Sequence, residues 1–64
     1  MSKTSKAFNV TIYKDDDLYR AFVEEHPHIT ALSYQFDIVK LNIKEAIEVW
    51  TDVENPKILF KVKK

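Results

Sequence analysis

Sixty-four residues and 7.6 kDa suffice for one small domain, and 45% apolar residues with a formal net charge of +0 describe a globular chain rather than a disordered one. The absence of cysteine excludes a disulfide framework and a thiolate zinc site, which predicts a reducing, cytoplasmic setting and a fold held together by its core alone. The absence of glycine excludes dinucleotide fingerprints, Walker-type phosphate loops and the serine-hydrolase elbow in their usual forms, because each needs backbone positions that only glycine occupies without strain.

Residues 1–6 are polar and predict a disordered tail ahead of a single domain over 7–64. No leading apolar run resembles a signal peptide, and no stretch approaches the ~20 apolar residues of a membrane span, so neither secretion nor membrane insertion is expected. Phe8, Val10 and Ile12 alternate with Asn9, Thr11 and Tyr13, which predicts a strand over 7–14 with one buried face. Asp15, Asp16 and Asp17 then offer a cap and first-turn carboxylates for a helix over 16–26, with Leu18, Ala21 and Phe22 at helical spacing and a stop at Pro27. In the competing reading the Asp cluster is a hairpin loop and residues 19–25 are a strand, since Tyr19, Ala21 and Val23 also alternate.

Leu32, Tyr34, Phe36 and Ile38 alternate with Ser33, Gln35 and Asp37, predicting a strand over 32–38 that runs on toward Leu41. Asn42 to Glu45 fits a capping box that opens a helix over 43–52, with Ile43, Ala46, Ile47 and Trp50 on one face. Asn55 and Pro56 break the chain before a terminal strand in which Ile58, Phe60 and Val62 alternate with lysines and Leu59. Without glycine, longer loops are expected in place of two-residue hairpin turns, with Asn42 and Asn55 at any left-handed position.

Three strands that each alternate imply a sheet with one packed and one wet face. The expected fold is therefore α+β: a two-layer sandwich of a three-stranded sheet with two helices on one face, in the order β-α-β-α-β. The order becomes β-β-β-α-β if 19–25 is a strand. The expected core is Phe8, Val10, Ile12, Phe22, Leu32, Tyr34, Phe36, Ile38, Ile47, Trp50, Ile58, Phe60 and Val62.

Net neutrality hides an uneven distribution. All ten acids lie between residues 15 and 54 with only Arg20, Lys40 and Lys44, while both ends carry lysine alone. The molecule should be dipolar, with one side suited to a basic partner and the other to an acidic one. The Asp cluster lacks the ligand spacing and glycine turn of a calcium loop, and His26 with His28 lacks evident further ligands for zinc or nickel, so no metal is expected. No nucleophile, base and oxyanion donor are spaced to converge, and a chain this short has little volume to enclose a substrate, so neither catalysis nor a cofactor is expected. Tyr13, Lys57, Lys61 and Lys63 on the terminal strands form the candidate nucleic-acid-binding set.

The segment Asn9 to Tyr13, the run Asp15 to Asp17, the stretch Leu41 to Trp50 and the strand Lys57 to Lys63 together resemble small phage inhibitors of uracil-DNA glycosylase. That resemblance implies a homodimeric, non-enzymatic DNA mimic whose acidic groups stand in for phosphates, with Asp15, Asp16, Asp17, Glu24 and Glu25 as the candidate partner-binding residues. The expected function is protein binding, with inhibition of a host DNA-processing enzyme as its specific form; the alternative is a small nucleic-acid-binding module using the lysine-bearing strands. A small core and unpaired sheet edges further predict a homodimer, through a strand edge or through Val39, Val49, Val53 or Leu59.

Overall fold

A computed structural model describes residues 7–63, so the tail expected over 1–6 lies outside the described residues. The elements are β1 (Ala7–Asp15), β2 (Leu18–Val23), β3 (Thr30–Ser33), α1 (Phe36–Thr51) and β4 (Lys57–Lys63). They form one four-stranded sheet in the order β3-β2-β1-β4, antiparallel except for β1 and β4, which run parallel. The α+β class holds, but the expected three-stranded sheet with two helices is overturned by a fourth strand and, among the described residues, a single helix.

The helix expected over 16–26 is a strand. Val10, Ile12 and Lys14 lie opposite Val23, Ala21 and Tyr19, so the alternating side chains of β2 extend the packed face of β1. Tyr19, Phe22 and Val23 suit a pleated surface better than a helix. The two strands are joined by Asp16 and Asp17 alone, and Asp16 adopts a φ of 59°. A short turn without glycine is feasible here because aspartate tolerates the left-handed region better than most residues. Asp52 (φ 59°) and Asn55 (φ 50°) take the other left-handed positions, whereas Asn42, also expected there, lies inside α1.

The strand expected over 32–38 stops at Ser33, and the helix expected to begin at 43 begins at Phe36. Phe36, Val39, Ile43 and Ile47 recur at helical spacing, so an early start lays one unbroken apolar stripe on the sheet. The capping rules missed this start because the N-cap, Gln35, makes no side-chain cap bond.

The core consists of Phe8, Val10, Ile12, Ala21, Val23, Ile29, Val39, Ile43 and Ile47, with Tyr19, Phe36, Val53 and Ile58 packed against it. Of the expected core, Phe22 instead lies on the outer sheet face, and Leu32, Tyr34, Ile38, Trp50, Phe60 and Val62 are exposed. Trp50, expected inside the helix-sheet interface, is 64% exposed on the last turn of α1, where its ring meets that of His28 at 5.3 Å. Among the described residues no helix is long and apolar enough to cross a membrane.

Candidate partner-binding surface

A helix with its side chains is about 10 to 12 Å wide, whereas four strands spaced ~4.8 Å apart span roughly 14 Å between outer axes. One helix therefore leaves a margin of the sheet bare. In this molecule α1 lies over β3 and β2, and the bare margin is β4. The parallel register sets Ile58, Phe60 and Val62 beside Phe8, Val10 and Ile12, all on the helix-side face. Phe8, Val10 and Ile12 are at most 3% exposed, yet Phe60 and Val62 remain 38% and 54% exposed. The cover on this margin is the lysine flank of α1: Lys40 Nζ lies 5.6 Å from the Phe60 ring centre and 5.0 Å from that of Phe36. Lys44 on the same flank pairs with Glu48 at 3.4 Å.

The opposite sheet face has no helix over it. There β1, β2 and β4 line an open groove of about 760 Å³ that includes Thr11, Tyr13, Phe22, Glu24, Lys61 and Lys63. The Tyr13 and Phe22 rings meet edge-on at 6.3 Å, the electrostatically favoured arrangement for an aromatic pair. Strand parity in the sequence placed Tyr13, Lys61 and Lys63 on this face, and Lys57, opposite Ala7, shares it. Phe22 was missed as their companion, since residues 16–26 were expected to be helical; the alternation of Tyr19, Ala21 and Val23 was the signal that places it there.

The five acidic candidates do not form one surface. Asp15, Asp16 and Asp17 make the β1–β2 turn, whereas Glu24 and Glu25 follow β2 at its far end, roughly 20 Å away for six residues of extended chain. Asp15 pairs with Arg20 at 3.1 Å across the hairpin. Glu24 accepts a hydrogen bond from the Thr11 hydroxyl at 2.6 Å and lies 3.6 Å from Lys61 Nζ. Glu25 accepts from the Asn9 backbone N–H at 3.0 Å and from Asn9 Nδ2 at 2.7 Å. The backbone bond first, and the side-chain bond next, hold its carboxyl below the ordinary glutamate value. Glu24 and Glu25 therefore tie the outer face of β1 to the end of β2.

The two histidines belong to a run of aromatic contacts. His26 packs on Phe8 at 6.3 Å, His28 on Trp50 at 5.3 Å, and the two imidazoles meet at 5.9 Å. No family model, curated protein or solved structure matches this chain.

Proposed function

We propose that this chain is a non-enzymatic protein-binding module that engages its partner through the bare helix-side margin of β4. The observation that carries it is the contrast within one sheet face, where Phe60 and Val62 share the register of the most deeply buried residues and stay in water. Burying the part of these side chains that is still in water is worth about 1 kcal/mol each, roughly half of what full burial gives, and α1 does not supply the cover.

The test is affinity capture from the native host with the wild-type protein and with a Phe60→Asp/Val62→Asp variant, followed by binding of the purified partner. A protein held by the wild type and weakened by about 30-fold or more in the variant supports the module, as expected for central apolar anchors. Equal affinity for both forms overturns it. The inhibitory form is tested directly in a uracil-excision assay: stoichiometric loss of glycosylase activity supports it, and unaffected excision removes it.

A second reading, nucleic-acid binding, draws on one specific observation. Tyr13 and Phe22 stand together in a groove that also contains Lys61 and Lys63, and paired aromatics beside cations are the elements of a single-strand platform. Titration with single-stranded RNA and DNA at two salt concentrations distinguishes the two. Phosphate binding weakens steeply with salt, and a Tyr13→Ala change should reduce it further.

A further inference from the structure

We infer that the unpaired edge of β4 takes up an extended acidic segment of a partner protein as a fifth strand. This fifth-strand mode presupposes the protein-binding role proposed above and adds the chemistry of the partner. β4 is an edge strand of seven residues, long enough for a full set of ladder bonds, and it carries apolar side chains on both faces. Phe60 and Val62 lie on the helix side, and Leu59 is 53% exposed on the outer side.

Charge selects the occupant. Lys57, Lys61 and Lys63 share the outer face of β4, and Lys40 overhangs its other face at Phe60. Lys61 faces Glu24 at 3.6 Å and is still 68% exposed, while among the described residues neither Lys57 nor Lys63 has a carboxylate partner. Lysines on an edge strand commonly repel a second copy of the same chain. The register makes that repulsion concrete. Two copies of β4 meeting about a two-fold axis keep their helix sides level only when residues of the same parity stand opposite each other. Centring on Phe60 sets Lys57 against Lys63, centring on Leu59 sets Lys57 against Lys61, and centring on Lys61 sets that lysine against itself. The lysines that disfavour self-pairing attract a strand carrying Asp or Glu at alternate positions, with apolar residues between them facing Ile58, Phe60 and Val62. A nucleic acid would use the lysines but would leave the strand's N–H and C=O groups unpaired.

The probe is a labelled synthetic peptide, Glu-Val-Glu-Val-Thr-Val-Glu, with the same peptide carrying lysine for glutamate as its counterpart. Anisotropy should show binding of the acidic peptide only, and the alternate backbone amides of Ile58 to Val62 that point away from β1 should gain hydrogen-exchange protection when it binds. Lys57→Glu/Lys63→Glu, which leaves the Lys61 to Glu24 contact intact, should weaken the acidic peptide about tenfold and confer binding of the lysine peptide. Circular dichroism of this variant should match the wild type, and Lys57→Gln/Lys63→Gln should bind the acidic peptide with intermediate affinity. Failure of the acidic peptide to bind, equal binding of both peptides, unchanged β4 amides, or tighter binding of a single-stranded oligonucleotide at the same amides overturns the inference. If only the peptide result is negative while a native partner remains sensitive to Phe60→Asp/Val62→Asp, the fifth-strand mode falls and the protein-binding module stands.

Discussion

Asp52 closes α1 in the left-handed conformation, its N–H bonded to the Glu48 carbonyl at 2.9 Å. Two penalties meet there. A non-glycine residue occupies a positive φ, and a carboxylate sits at the negative end of the helix, whose last turn carries no basic residue. Asp52→Gly should therefore stabilise the protein by about 1 kcal/mol, read as a raised denaturation midpoint, with Asp52→Asn recovering the electrostatic share. Glu25 works in the opposite sense. Because its folded-state value is depressed by the two Asn9 bonds, its contribution is fully present above the ordinary glutamate value and is lost as pH falls through the lowered one. Glu25→Gln should lower stability at neutral pH and flatten the loss that sets in as pH falls below the ordinary glutamate range in pH-dependent unfolding; an unchanged profile would show that the Asn9 clamp contributes nothing.

Among the elements, α1 is held by one narrow stripe. Val39, Ile43 and Ile47 are fully buried, whereas Trp50, seven positions from Ile43 on the last turn of α1, is 64% exposed. Ile43→Ala should cost about 2 to 5 kcal/mol in chemical denaturation, and Trp50→Ala about 1 kcal/mol or less, the loss of its contact with His28 being the main effect. The reverse order of the two costs would mean that α1 is rotated from the position described. The same stripe explains why the alternation of Leu32, Tyr34, Phe36 and Ile38 misled. Phe36 satisfies both a period of two and the helical spacing to Val39, Ile43 and Ile47, and starting the helix at Phe36 adds Val39 to the buried face that Ile43 and Ile47 provide.

At the scale of the whole molecule, a sheet with one helix has two free edges and two partly bare faces. The lysines of β4 disfavour self-pairing there, and Val39, one of the residues expected at a dimer contact, is fully buried. Self-association would then use β3, where Leu32 (52% exposed) lies on the outer face and Val49 (80%) lies on the flank of α1 away from Lys40. Sedimentation should show a dimer for the wild type and a monomer for Leu32→Glu/Val49→Glu, with a melting temperature that rises with protein concentration only in the wild type. A wild-type monomer at high concentration, with a melting point indifferent to dilution, would remove the dimer.

Strand parity was legible in the sequence because it is local: each residue of β1 and β4 points to the face opposite its neighbour's, whatever the rest of the chain does. Phe8, Val10, Ile12, Tyr13, Lys61 and Lys63 were therefore assigned to the correct faces, and the C-terminal half of α1 followed from its own helical spacing. Residues 18–23 carry two periodicities, and pairing with β1 chose between them by giving their backbone groups ladder partners and their alternate side chains a place in the core. Where the bare margin falls was also undecided locally. Ile58, Phe60 and Val62 have the same alternation as Phe8, Val10 and Ile12, and their exposure follows only from a single helix, narrower than the sheet, lying over β3 and β2.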